Sequence, residues 1–323
     1  MKSQISYAMK EGFDRVTPLV GVFFMKKILT QGPLFIIIAA LLWSFDALLR
    51  RSLYTLPSSV IVFYEHLLGA IILVPLIPKY INEAKKMNRR EWFSILIVSL
   101  FSGALGTIFY TRALGMVQYI QFSVVVLLQQ LQPIWAILAA AIILKEKITG
   151  KFIKWAILGI IAAYMISFRD LKINFVSGSG QITAAVLALM AGFVWAVSTS
   201  FSKVVLKKVS FLTATFLRFI LAPVFAFLFI LGEKQLPALT KIHPQQWLML
   251  LAITFSTGMV ALVIYYYGLK KTPARVSTIA ELVWPASAIF IDYFLYKSFL
   301  SPTQILGVIL LFVAIYNVSK FPK

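Results

Sequence analysis

The sequence predicts an all-α membrane protein of ten transmembrane helices, built as two five-helix repeats of inverted topology. Three observations carry that expectation. The 323-residue chain is 60% hydrophobic and 13% charged, with a mean hydropathy of +0.89, whereas soluble domains carry about 25% charged residues. Its apolar residues gather into runs long enough for a helix to cross a hydrocarbon core of roughly 30 Å. An ordered set of residues also recurs at a nearly constant offset between the two halves. The chain has no cysteine, and its histidines are His66 and His243 alone. Haem attachment, a Cys-based zinc site and a His-rich metal centre are therefore not expected; nor is any cofactor.

In chain order, spans are expected at 33–50, 57–78, 92–111, 119–144 and 152–168. Beyond the linker Ser177-Gly178-Ser179-Gly180 they follow at 182–204, 211–231, 247–269, 276–296 and 302–318. The fourth run contains Pro133 and the ninth Pro285, each read as a kink within one helix. Trp92 and Trp247 open the third and eighth spans and suit interfacial anchoring. On the sixth, Ala184, Ala188, Gly192, Ala196 and Ser200 recur every four positions, a stripe that lets helix backbones approach closely. Residues 1–32 fit no span. Val16–Met25 is too short to cross and lacks a signal-cleavage pattern, so 1–32 reads as a cytoplasmic extension. A start near Met25-Lys26-Lys27 is the alternative.

The net charge of +20 would suggest nucleic acid in a soluble protein. Here its placement decides. Of the 31 Lys and Arg, 22 fall in one set of alternate segments, eight in the other, and Arg218 lies within a span. Because basic residues accumulate in cytoplasmic segments, both termini are expected inside a cell membrane, and no nucleic-acid partner is needed.

The repeat is read from matched residues. Trp43 corresponds to Trp195, Glu65 to Arg218, Gly103 to Gly258, Tyr110 to Tyr265 and Pro133 to Pro285, with offsets of 152–155 residues. Five spans per unit force the second unit to enter from the opposite face. The units are therefore drawn at 33–168 and 181–318. Inverted repeats with proline-interrupted helices are a signature of secondary transporters, whose sites lie near the midplane between the units.

Several stretches resemble the EamA-like type of drug/metabolite transporter. They are Trp43-Ser44, Arg218-Phe219-Ile220-Leu221-Ala222, Tyr265-Tyr266-Tyr267-Gly268-Leu269 and Glu281-Leu282-Val283-Trp284-Pro285, with Leu144-Lys145-Glu146-Lys147-Ile148-Thr149 after the fourth span. The chain departs from that pattern at Glu65, where the first unit usually has Arg, and at Ser298, which replaces a Glu matching Glu146. The resemblance implies a cytoplasmic-membrane carrier, often an exporter of amino acids or related metabolites.

Candidate site residues are the polar minority within the spans. At 100° per residue, Gln118, Gln121, Gln129 and Gln132 share an arc of about 80° on the fourth span. Amides there cannot face lipid at tolerable cost; they either join helices or line a wet cavity. Ser277, Glu281, Trp284 and Asp292 share a similar arc on the ninth. Intramembrane ionisable groups mark pathways or ion pairs. Asp46 precedes Arg50 by four residues, a local pair, and Glu65 and Arg218 hold equivalent positions with opposite charge. Glu281 is the deepest, the first choice for contact with a substrate amine or for protonation. The candidate cavity set is Trp43, Asp46, Tyr110, Gln118, Gln129, Gln132, Trp195, Ser198, Tyr265, Ser277, Glu281 and Trp284, with Pro133 and Pro285 as hinges.

These features favour a carrier of a small organic solute over an enzyme. The Gly-rich phosphate loop ending in Gly-Lys-Ser/Thr is absent, so energy would come from a gradient, with protons as a candidate partner, or transport is facilitated diffusion. An enzyme acting on lipid-linked substrates, or a sensor or assembly subunit, are the alternatives.

Overall fold

A computed structural model describes residues 32–116, 129, 131–167, 169–171, 181–284, 287 and 301–320. Residues 1–31 of the extension expected at 1–32 and the candidates Gln118, Gln121, Pro285, Asp292 and Ser298 lie outside the described residues. Among the described residues the regular structure is helical, with no strand.

The first half contains α1 (Gly32–Trp43), α2 (Asp46–Arg51), α3 (Ser58–Leu73), α4 (Ile77–Ala84), α5 (Arg89–Val98), α6 (Gly106–Gly115), α7 (Gln132–Ile143) and α8 (Gly150–Ser167). The second contains α9 (Gln181–Leu206), α10 (Phe211–Gly232), α11 (Pro244–Ile253), α12 (Met259–Lys271), α13 (Ala274–Ala280) and α14 (Pro302–Ser319). Seven stretches among the described residues are long and apolar enough to cross a membrane. They are Gly32–Arg50, Ser58–Ala84, Arg89–Gly115, Thr183–Leu206, Phe211–Gly232, Pro244–Lys271 and Pro302–Ser319. The eighteen-residue α8 stands where the fifth span is expected. Of the fourth and ninth expected spans, the described parts are chiefly α7 and α13. Pro133 sits in the first turn of α7, where its missing N–H leaves no intrahelical partner wanting. Residues 119–128 and 130, which precede it in the fourth expected span, lie outside the described residues.

Local sequence explains several starts. Asn88 Oδ1 accepts from the amides of Arg90 (2.8 Å) and Glu91 (3.3 Å), while Glu91 Oε2 accepts from the Asn88 amide at 2.8 Å. Ser301 and Gln304 make the same reciprocal box before α14, and Ser210 caps α10. Each box satisfies amides that a helix start would otherwise leave open.

The third and eighth spans each change winding at the same place. π-Helical turns run over Ser99–Leu105 and Thr254–Gly258, and the matched glycines Gly103 and Gly258 lie within them. Such turns bring extra residues onto one face and recur at functional sites.

Most of the extensive pairings join one half of the chain to the other. α1 packs on α12, α9 on α6 and α7, α3 on α10, α7 on α13 and α8 on α14. The largest apolar cluster accordingly draws on both halves, from Ile36 and Phe152 to Tyr266 and Leu311. Neither half has a separate core. Outward lies an apolar belt including Ile71, Ile142, Val224, Leu248, Phe312 and Tyr316, whose only favourable surroundings are lipid. All five small residues of the α9 stripe are buried.

α1 crosses α12 backbone to backbone at close range. A Cβ added to Gly268 would lie 2.8 Å from the Gly32 carbonyl oxygen and 2.9 Å from Ile36 Cγ1. Backbone cannot yield as a side chain can. Gly268→Val is expected to destabilise the fold by about 1–3 kcal/mol, whereas Gly115→Ala, whose Cβ would meet nothing within 4 Å, stays near neutral. Thermal unfolding of the two purified variants in detergent checks this.

Candidate functional site

Between the halves lies a cavity of ≈ 180 Å³. Its walls come from the first, second, third, sixth, seventh and eighth expected spans, with Gln129 and Gln132 before and within α7, and Thr278, Glu281 and Trp284 within and after α13. Three groups of side chains give it character.

The first group is aromatic. Trp43 and Tyr265 lie with ring centroids 5.1 Å apart and planes at 53°. Trp195 and Tyr110 lie at 5.3 Å and 57°. Trp195 matches Trp43 and Tyr110 matches Tyr265 in the sequence repeat, so one aromatic pair occurs twice, each time with one ring from each half. Trp284 stands edge-on to Tyr110 at 6.5 Å. Trp43 is held by its indole N–H, which donates to the Thr257 carbonyl at 2.9 Å. That carbonyl lies in the π-helical turn.

The second group is ionic. Arg50 Nε pairs with Asp46 Oδ2, and Arg50 Nη2 with Glu65 Oε2 at 2.7 Å. Arg50 Nη1 donates to Thr111 Oγ1 at 3.3 Å, and Thr257 Oγ1 donates to Asp46 Oδ1 at 2.6 Å. All three charged residues are buried, Arg50 to 2% exposure. The local Asp46–Arg50 pair expected from the four-residue spacing is present. Glu65 turns to Arg50, not to its repeat equivalent Arg218. The arrangement is physically economical because two carboxylates share one guanidinium, whose planar fork serves both.

The third group centres on Glu281. Its Oε1 accepts from the Tyr265 hydroxyl (2.8 Å) and the Ser277 hydroxyl (2.9 Å); Oε2 accepts from Gln132 Nε2 at 3.2 Å. Thr199 Oγ1 lies 3.2 Å from the same Tyr265 hydroxyl. Among the described residues every direct donor is neutral. A carboxyl so placed is held in position without being locked into an ion pair.

Of the sequence candidates, Trp43, Asp46, Tyr110, Gln129, Gln132, Trp195, Tyr265, Glu281 and Trp284 line one cavity. Ser277 is fully buried and reaches it through Glu281. Ser198 is buried at 1% exposure and its hydroxyl has no hydrogen-bond partner; it is not among the lining residues. Gln118 and Pro285 fall outside the described residues. The candidate set omits Arg50, Glu65, His66, Arg218 and Thr278, all of which line the cavity. For the charged ones the signal was their position within spans, which reads equally as structural pairing. For Thr278 no signal existed, since a threonine in a helix is unremarkable.

A helical membrane-embedding fold with a polar, aromatic-walled cavity between two like units defines the class: a membrane transport protein. The chain belongs to the EamA-like transporter family, whose model matches residues 30–168 and again 182–320. It is 34% identical to the riboflavin transporter ImpX of Fusobacterium nucleatum, over 90% of this chain and 98% of that one. Uncharacterized transporters of Clostridium kluyveri (24% identity, 91% of this chain and 94% of that one) and of Synechocystis sp. (24%, 76% and 70%) are more distant. A crystal structure superposes with TM-score 0.68 at 16% identity, covering 88% of this chain and 94% of that one, which speaks to the fold alone.

Removing Arg50 would strand two buried carboxylates. Arg50→Leu is expected to destabilise the protein by about 3–5 kcal/mol, and adding Asp46→Asn with Glu65→Gln should recover most of that loss. Unfolding of the single and triple variants decides. Equal stability of Arg50→Leu and wild type would show that the cluster is not held as the geometry implies.

Proposed function

We propose that the protein is a secondary or facilitative carrier of a flat heteroaromatic metabolite, with riboflavin as first candidate. The carrying observation is the doubled Trp–Tyr pair, Trp43–Tyr265 and Trp195–Tyr110. Aromatic faces stack on planar rings and hold them with about 1–3 kcal/mol per ring system. They offer little to a short aliphatic amino acid, the other substrate class that the sequence suggested. The similarity to a riboflavin transporter along nearly that protein's whole length supports the same reading. Direction, import or export, is left to the transport assay described below.

In this reading the chain forms ten spans, as two five-helix units of opposite orientation near 33–168 and 181–318, with both termini cytoplasmic. The units rock about the cavity and expose it to each side in turn. The recurrence of like contacts at matched positions supports the inverted arrangement. The excess of Lys and Arg in alternate segments supports the orientation. Glu281 touches the substrate or exchanges a proton with the cavity, because among the described residues only neutral donors hold it. Gln129, Gln132 and Trp284 complete the substrate contacts, Asp46 stays engaged with Arg50, and Pro133 with Pro285 lets their helices flex.

The test is radiolabelled riboflavin flux into and out of proteoliposomes holding the purified protein, with and without a pH gradient. Saturable flux is expected. Trp43→Ala and Trp195→Ala should each weaken apparent affinity roughly 5- to 100-fold, from the loss of about 1–3 kcal/mol of stacking. Glu281→Gln should abolish any response to the pH gradient while leaving folded protein. Absence of flavin flux beside robust flux of an aliphatic amino acid would overturn the substrate assignment.

A further inference from the structure

The repeat places like contacts at like positions, yet the charges on that scaffold differ. Ser202 stands at the position equivalent to Arg50. Its hydroxyl lies 3.2 Å from the Tyr266 hydroxyl, as Arg50 Nη1 lies 3.3 Å from Thr111 Oγ1, and Tyr266 is the equivalent of Thr111. Arg218 stands at the position equivalent to Glu65. A Cβ on Gly103 would lie 3.7 Å from Arg218 Nε, as one on Gly258 would lie 3.2 Å from Glu65 Oε1. Ser198 takes the place of Asp46. The first half thus surrounds its cavity with a closed ion cluster. The second half keeps one charge of that cluster, with its sign reversed, and puts serines where the partners would be.

Arg218 consequently lines the cavity without an ion-pair partner among the described residues. Nη2 donates to the Ser102 carbonyl at 3.0 Å, and Nε has no hydrogen-bond partner. A guanidinium within a membrane is expensive to leave uncompensated. Two further polar atoms of the same cavity are also unpartnered, Gln129 Nε2 and Thr278 Oγ1. Gln129 is buried at 4% exposure and Thr278 at 1%. Three unused donor groups therefore belong to residues that line a space walled by aromatic rings.

We propose that Arg218 anchors the polar edge of the substrate, its guanidinium donating to adjacent acceptor atoms of a planar heterocycle while the Trp–Tyr pairs hold the ring faces. The proposal rests on the flavin reading above for the identity of the ring. A dioxo-pyrimidine edge, with a carbonyl oxygen beside a ring nitrogen, suits the planar fork, which an ammonium cannot match. The vacancy at Ser202 is what frees the guanidinium for a ligand. In the first half, the same scaffold position is closed by Arg50.

The experiment uses the full chain in nanodiscs, with flavin fluorescence quenching as the binding signal and thermal unfolding without ligand as a second readout. Probes are riboflavin and lumiflavin, which keeps the ring system and lacks the sugar-alcohol chain. Arg218→Gln should weaken both probes by roughly ten- to a hundred-fold, the consequence of losing hydrogen bonds to a charged donor, and Arg218→Lys should recover only part. Ser202→Glu should weaken both probes likewise, by giving Arg218 an internal partner. In ligand-free protein both Arg218→Gln and Ser202→Glu should unfold at or above the wild-type temperature. Wild-type affinity in Arg218→Gln, or weakening confined to riboflavin, overturns the anchoring of the ring edge. If wild type binds neither probe, the flavin assignment fails by itself. The unfolding readout then still decides whether Arg218 lacks compensation: lower unfolding temperatures for both variants overturn it.

Discussion

The structure turns on one constraint: a charge within a membrane must find its compensation inside the protein. Arg50 meets it by holding Asp46 and Glu65 together, and the hydroxyls of Thr111 and Thr257 take up remaining valences. Those five residues come from the first, second, third and eighth expected spans. The cluster therefore fixes where α2, α3, α6 and the second π-helical turn meet. The second π-helical turn contributes to it. Thr257 must present its hydroxyl to Asp46 and its carbonyl to the Trp43 indole, and an ordinary helix would crowd both onto fewer directions.

Against that constraint, the second half is conspicuous. Its backbone repeats the contacts of the first, down to the spacing of the aromatic pairs, while its polar side chains do not. Duplication supplies a scaffold in which the two halves are interchangeable; divergence of a few buried residues makes the cavity polar in one sense. A flat ligand between equivalent Trp–Tyr pairs would have two equal poses if the charges were also equivalent. An ion cluster on one side and a guanidinium without an ion-pair partner among the described residues on the other would remove that degeneracy. In the proposed flavin reading, specificity would reside in the places where the repeat fails, in the manner of a site that leaves polar groups unpaired until the right partner arrives.

The same division governs what could be read from the sequence. Periodicity and matched tryptophans, tyrosines and glycines were legible because they obey backbone geometry. Ring pairing at 5.1 and 5.3 Å needs only that each half be built alike. The Asp46–Arg50 pair was legible because it is four residues apart on one helix face. The partner of Glu65 was not. Equivalence in the repeat pointed toward Arg218, whereas the actual partner follows from how α2 lies on α3, a tertiary fact with no local pattern. Gln129 and Gln132 were found by their arc, but the bond from Gln132 to Glu281 joins two helices from different halves. The arcs named the faces; packing alone decided which residues on them meet.

The contacts at the two ends of the bundle bear on motion. At one end, Glu83 accepts from the Ser210 amide (2.6 Å) and the Thr213 hydroxyl (2.8 Å), and Glu146 accepts from the Ala274 amide (2.8 Å) and pairs with Arg275 (3.1 Å). At the other, Glu233 pairs with Arg112 at 2.5 Å and accepts from Ser59 at 2.7 Å. Each latch joins one half to the other; the Arg112–Glu233 pair is partly exposed, whereas Arg275 and Glu146 are largely buried. Hydrogen bonds to charged groups contribute about 1.5–3 kcal/mol apiece and an exposed ion pair about 0–1 kcal/mol. The partly exposed Arg112–Glu233 end therefore opens more cheaply than the buried Glu146–Arg275 end. Separating Arg50 from its two carboxylates is costly, because no water-rich surroundings await them. Rocking of the halves, as the carrier reading requires, would break contacts at the ends while the Asp46–Arg50–Glu65 pairs, all within the first half, stay together. The Trp–Tyr pairs and the Gln132–Glu281 bond, each shared between the halves, would shift with that motion, so that access to the cavity and its grip on a substrate change together.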